Sequence, residues 1–128
     1  MNIAYANFDL YNERELLRLN IREAVDRMGD KETYLEIAHY FAEHLPDSLE
    51  KLQEAFDASH LALATRLAHS LKSNCATVGA ETMRERCLTL EKLCRDGDLA
   101  VAKELFATRV PKLRELRQSL LSLDGDDD

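Results

Sequence analysis

Apolar residues three and four positions apart recur in four segments of this chain. Such spacing gathers apolar side chains on one side of an α-helix, and each helix must bury that side against another element. Glycine and aspartate, which favour helix ends and turns, mark the breaks between the segments. We therefore predict an all-α fold, an antiparallel four-helix bundle. Its helices are expected to start near Asp30, Ser59, Glu81 and Leu99, with Asp30 and Ser59 as N-cap residues. In the first of these helices the inward positions are expected to be Tyr34, Ile37, Ala38, Phe41 and Leu45, and in the last Ala102, Leu105, Phe106, Leu113, Leu116 and Leu120.

Shorter signals refine this prediction. Asn20 and Glu23 fit a capping box, and Glu13–Leu19 is a further short helical candidate, so we expect one or two short additional N-terminal helices. Two prolines lie within the apolar repeats. Pro46 is expected to end or kink its helix, and Pro111 to kink the last one.

The length of 128 residues fits a single domain over residues 1–128. About residues 1–9 are weakly patterned and are expected to form a loose lead-in, while about residues 122–128 form an acidic tail that is expected to be disordered. Whether the chain is a free-standing protein or a domain of a larger sensor kinase stays open.

Charge and cysteine content limit the partners and the location. The net charge of −7 argues against nucleic acid or an anionic membrane as the main partner. No apolar run approaches the ~20 residues that span a bilayer, and no secretory signal is present, so we expect no membrane insertion. Cys75, Cys87 and Cys94 have no Cys-x-x-Cys spacing and are expected to pack in the core, which suits a reducing cytoplasm.

One helix has an unusual polar side. Its apolar stripe consists of Ala64, Leu67, Leu71, Cys75 and Val78, with Ala68 at the margin. His69 falls almost opposite this stripe on a helical wheel. Around it lie small, polar and cationic side chains, namely Ala62, Thr65, Arg66, Lys72, Ser73 and Ala76. Small residues would let another protein approach the ring, and two cations suit an anion held there. An ordinary polar surface with helix-forming alanines would produce the same pattern, so periodicity alone leaves both interpretations open.

The residues of this helix also carry a family resemblance. The pattern is a histidine, a lysine three positions on, a small residue next, further small residues and an apolar-Gly-Ala ending. It is formed here by His69, Lys72, Ser73, Cys75, Val78 and Gly79-Ala80, and resembles the signature of the histidine-containing phosphotransfer (HPt) domain family. Ser73 is the one departure, because glycine is commoner there. The run from Met28-Gly29-Asp30 to Phe41 also fits, as do Cys87, Leu90-Glu91, Arg95 and Gly97-Asp98, so the resemblance covers about residues 20 to 120.

The resemblance implies a four-helix bundle and reversible phosphoryl transfer. His69 would accept the group from a receiver-domain aspartate and pass it to another receiver, while Lys72 would stabilise the phosphoryl oxygens. Nε2, the outer ring nitrogen, is the expected nucleophile. The partner-docking face is expected to comprise Ala62, Thr65, Arg66, Ser70, Ser73 and Ala76.

The same resemblance implies a phosphocarrier without kinase activity of its own. The chain has no Walker loop and no kinase-type glycine-rich loop. We expect no cofactor and no metal site on this chain, with Mg²⁺ on the partner receiver. The expected partners are response-regulator receiver domains, a hybrid sensor histidine kinase or both, and the chain is expected to be a monomer.

Three alternative functions fit parts of the sequence. A receiver-binding adaptor without phosphotransfer rests on Ser73. A metal-binding bundle rests on Glu36-Ile37-Ala38-His39, one Glu-x-x-His element, but the closest second element, Asp57-Ala58-Ser59-His60, falls at a helix start. In the dimerisation domain of a histidine kinase an acidic residue usually follows the histidine, whereas Ser70-Leu71-Lys72 follow His69 here.

Overall fold

The computed structural model describes residues 18–124. Five helices form this part of the chain: α1 (Ile21–Met28), α2 (Lys31–Asp57), α3 (Leu61–Thr77), α4 (Glu81–Arg95) and α5 (Leu99–Leu121). The expected lead-in, most of the Glu13–Leu19 helix and residues 125–128 of the tail lie outside the described residues.

Helices α2 to α5 form the bundle. Only three residues separate each of these helices from the next, so consecutive helices pack side by side in opposite directions. Each helix contacts its neighbour in the chain, and α5 returns to contact α2, which closes the ring of four. The predicted all-α fold is confirmed, with one short N-terminal helix, α1, within the described residues.

The core consists of the apolar stripes of the four long helices. All six positions expected to face inward from α5 are buried, as are the three cysteines, which are free thiols. The stripe of α3 differs from its prediction, because Ala68 is fully buried while Leu67 is only partly buried. Leu67 instead borders the cleft towards α2, where it lies near Ala55. Ile37 of α2, expected inside, is exposed.

Two helix starts match the sequence pattern. The side chain of Asn20 accepts a hydrogen bond from the backbone N–H of Glu23, and that of Asp30 accepts one from Thr33. At both sites the side chain satisfies a backbone donor that has no partner within the helix. Helix α2 continues through Pro46 as one helix, so the proline does not end it.

The predicted cap at Ser59 is wrong. Helix α3 begins at Leu61, and no side chain caps it. Ser59 has a left-handed backbone (φ 55°), and its N–H and that of His60 bond back to carbonyls of the last turn of α2. Because Ser59 closes the preceding helix in this way, its side chain is not positioned to start the next one.

Gly79 joins the bundle to its N-terminal cover. It has a φ of 84°, and its carbonyl accepts a hydrogen bond from the backbone N–H of Asn20, just before α1. A Cβ atom at this position would lie 2.6 Å from the Asn20 carbonyl oxygen. Only glycine therefore allows α1 to sit this close to the C-terminal end of α3.

None of the helices between residues 18 and 124 has the length and apolar character needed to cross a lipid bilayer.

Candidate functional site

His69 lies in the middle of α3, on the side that faces away from the core. Its side chain is 58% exposed, as the wheel predicts. The ring leans towards α4, where its Nδ1 atom lies 3.1 Å from Oε2 of Glu91. Nε2 has no hydrogen-bond partner among residues 18–124, so the free edge of the ring faces solvent.

Glu91 is the buried centre of this site. Its side chain is only 3% exposed, and it lies on the inward face of α4 with Cys87, Leu90 and Cys94. A buried carboxylate is costly unless charges and hydrogen bonds compensate it. Its compensation comes from three side chains of two helices: His69 and Lys72 of α3, and Arg95 of α4.

The two cations meet this carboxylate from different sides. The Lys72 ammonium lies 2.8 Å from Oε1, and the Arg95 guanidinium donates to Oε2, the oxygen that His69 also contacts. The Lys72 side chain is 20% exposed and that of Arg95 is 58% exposed, so both side chains are at least partly accessible to solvent. With a neutral imidazole the group carries one negative and two positive charges, and an arriving anion would meet a net positive charge.

The electrostatics of the site keep Glu91 ionised. Burial acts to raise the pKa of its carboxyl, but the interactions with Lys72, His69 and Arg95 outweigh burial and lower the pKa from its usual value. An ionised carboxylate only accepts hydrogen bonds, so the proton of a neutral imidazole must lie on Nδ1. The lone pair of Nε2 is then free and directed outward, which is the state required of a nitrogen nucleophile.

All eight residues that the sequence analysis assigned to the site lie on α3, and none of them is buried. Ala62, Arg66, Ser70 and Ser73 are exposed beside His69. Thr65 and Ala76 are partly buried, and each takes part in a hydrogen bond. The Thr65 hydroxyl donates to the carbonyl of Leu61, and the Ala76 carbonyl accepts a hydrogen bond from Arg27 of α1. Arg27 therefore marks one border of the open surface.

Sequence reasoning missed two members of the site. Glu91 and Arg95 entered only through the family resemblance and were given no role. The signal was present, because a single carboxylate shares the helical phase of Cys87, Leu90 and Cys94, and an arginine follows it by one turn. An acidic residue on a core-facing stripe needs a cationic partner, and periodicity alone does not show that the partners lie on another helix.

The remaining histidines have other surroundings. Nε2 of His39 lies 2.9 Å from the carbonyl oxygen of Leu123, and the ring of His44 stacks on Tyr40. His60 lies at the N-cap position of α3. Between residues 18 and 124, no three His, Cys, Asp or Glu side chains come together as a metal site.

Comparison with known families identifies this stretch of the chain. The model of the Hpt domain family matches residues 36–125, which is more than half of the chain. The match includes all four residues of the cluster, His69, Lys72, Glu91 and Arg95. Searches of curated proteins and of solved structures gave no match.

Proposed function

Because this chain belongs to the Hpt domain family, whose role is histidine phosphotransfer in phosphorelays, we propose that His69 is the residue that carries the phosphoryl group. One observation supports this most directly. His69 is the exposed histidine whose Nδ1 is paired with a buried, ionised carboxylate, which leaves Nε2 open to solvent. Two cations with partly exposed side chains bind the same carboxylate.

The proposed reaction starts from an aspartyl phosphate on a receiver domain. The lone pair of Nε2 forms a bond to phosphorus as the bond from phosphorus to the aspartate oxygen breaks, and the electron pair of that bond leaves with the aspartate carboxylate. The ring keeps its hydrogen on Nδ1 and becomes positively charged. The Glu91 carboxylate, 3.1 Å from Nδ1, stabilises this charge. In the return direction the phosphoimidazolium transfers the group to another receiver aspartate.

Lys72 and Arg95 are proposed to change partners during this step. In the unphosphorylated chain both of them compensate Glu91. A phosphoryl group brings up to about two negative charges and three acceptor oxygens, which attract neighbouring cations. Formation of the cationic ring gives Glu91 a third positive neighbour at the same moment, so Lys72 and Arg95 can turn towards the phosphoryl oxygens without leaving a buried charge unpaired.

The partners follow from the family. Hpt domains act with the receiver domains of two-component systems. We propose that receivers of response regulators or of a hybrid sensor kinase serve as both donor and acceptor, and that Mg²⁺ is bound by the receiver. Exposed residues around His69 would form the centre of the interface, among them Ala62, Ser70 and Ser73. We expect this interface to bury a modest accessible surface of ~1,200 Å² in total.

A labelling experiment tests the assignment. Receiver domains of the host are loaded with radiolabelled phosphate and mixed with the wild-type chain, with His69→Gln and with His44→Gln as a control on the exposed side of α2. We expect acid-labile, alkali-stable label on the wild type and on His44→Gln, and none on a folded His69→Gln. Equal labelling of His69→Gln would refute the assignment, and receiver binding without any label would favour an adaptor.

A further inference from the structure

A shallow groove lies next to the histidine site. It has a volume of about 640 Å³ and runs between the first two turns of α3 and the end of α4. Its lining includes Leu61, Ala62, Thr65 and Arg66 from α3, with Arg95 and Gly97 at the other side. The base is mostly apolar and built of small residues, and the two arginines are its charged groups.

The charge of the α3 wall of this groove differs from that of the whole chain. The chain has 24 acidic residues among 128 and a net charge of −7, yet residues 58–80 contain no Asp or Glu at all. Helix α3 therefore carries only positive charge, from Arg66 and Lys72. A solvated helix face of an acidic protein normally mixes both signs, so this segregation points to a partner of opposite charge.

Arg66 is available for such a partner. It is exposed and makes no hydrogen bond or ion pair with any residue between 18 and 124. Arg95 is also exposed, and one of its nitrogens is held by Glu91, the carboxylate that contacts His69. The groove is thus continuous with the reaction centre, and Arg66 lies one turn before His69 on the same helix.

We propose that this groove is a docking subsite for a carboxylate side chain of the receiver domain, held by the guanidinium of Arg66, while Arg95 remains available to Glu91 and the phosphoryl group. This inference rests on the proposed phosphotransfer at His69 and adds a basis for choosing among receivers. A fork of guanidinium donors matches the two oxygens of a carboxylate. The chain as a whole repels extended polyanions, so a single acidic side chain on a folded partner fits better than a nucleic acid or a membrane. Receivers with Asp or Glu at the matching position would be preferred, and those with Lys or Arg there would be excluded.

The test compares two charge reversals. Arg66→Glu alters the groove, whereas Arg114→Glu makes the same charge change on α5, in a different groove lined by Leu45 and Pro46. The probe is the receiver that exchanges phosphate fastest with the wild-type chain in a profile of the host's receivers. For each chain the transfer rate is measured against receiver concentration at low and at high salt. Phosphorylation by phosphoramidate, a small donor without a protein surface, measures the competence of His69 itself.

We expect Arg66→Glu to lower the transfer rate at subsaturating receiver by about tenfold or more, because rim charges act mainly on association. The maximal rate and the phosphoramidate reaction should change by less than about twofold, as should every rate of Arg114→Glu. Exchanging the matching receiver carboxylate for Lys should restore transfer to Arg66→Glu.

The inference would be overturned if Arg66→Glu accepted phosphate at the wild-type rate at low salt, or if both variants lost the same fraction of the rate. If no receiver labels the wild-type chain while phosphoramidate labels His69, the receiver partnership fails and the subsite fails with it. If neither donor labels His69, the proposed function itself is wrong.

Discussion

Replacing Glu91 by Gln tests how the site holds its histidine. The amide keeps the size of the side chain and an oxygen that can accept from Nδ1 of His69, 3.1 Å away in the wild type. It removes the negative charge that faces the cationic ring of the phosphorylated state. An opposite charge this close favours the charged form of an ionisable group by roughly tenfold or more, and a factor of ten is about 1.4 kcal/mol, which is the smallest loss that we expect. That free energy corresponds to a factor of roughly ten in the transfer equilibrium.

The assay is the equilibrium of phosphate between a receiver and this chain, followed by phosphate-retaining gel electrophoresis. We expect Glu91→Gln to shift the equilibrium about tenfold towards the phosphorylated receiver. The shift should persist at moderate salt, because Glu91 is only 3% exposed and its interaction with the ring is poorly screened.

The matched control is Glu85→Gln. Glu85 lies on the same helix, but it is exposed and lies 3.9 Å from Arg84 at the surface. We expect this variant to leave the equilibrium unchanged. An equilibrium that is unchanged in Glu91→Gln, or shifted towards phosphohistidine, would show that the buried carboxylate does not stabilise the phosphorylated ring.

Three further predictions concern stability. Gly79→Ala should lower the free energy of unfolding in urea by about 1–3 kcal/mol, and Gly97→Ala by about 1 kcal/mol. Both glycines have a positive φ, but only at Gly79 would a Cβ atom lie within 4 Å of another atom. Equal losses in the two variants would contradict the close approach at Gly79. Tyr34→Phe should cost about 1–3 kcal/mol by leaving the buried carbonyl of Val78 without its hydroxyl donor. Burial raises the pKa of Tyr34 to about 12, so the variant should lose less stability than the wild type as the pH rises from 10 to about 12. Folding lowers the pKa of the Glu91 carboxyl from 4.5, so its ionisation stabilises the fold above that pH, and this stability is lost as the pH falls through the lower pKa of the folded state. The melting temperature of Glu91→Gln should therefore decrease less in acid than that of the wild type.

The spacing of apolar residues was sufficient to predict the helical architecture of this chain. The inward positions of α5 follow from the spacing of its apolar residues. The caps at Asn20 and Asp30 also follow from short-range rules, because a helix start depends on residues within one turn. Ser59 did not follow them. Its hydroxyl suits an N-cap, but the backbone used the residue to close α2, and such competition between adjacent helices depends on how they pack.

The site was predicted only in part for the same reason. The outward position of His69 is a property of one helix, and the wheel places it correctly. The Glu91 contact joins residues 22 positions apart on two helices, and the register between those helices depends on how their buried side chains pack. A single sequence shows that Glu91 is out of place on an apolar stripe. It does not show which side chains of α3 reach that carboxylate.

We propose that Nε2 of His69 receives the phosphoryl group while Nδ1 stays protonated against Glu91. Long-range proton–nitrogen NMR of the phosphorylated chain distinguishes the two ring nitrogens, with the other three histidines as internal references. We predict that phosphorus is bonded to Nε2 of His69 and that Nδ1 of the same ring carries hydrogen. Phosphate on Nδ1 of His69, or on His39, His44 or His60, would show that Nε2 of His69 is not the phosphoacceptor.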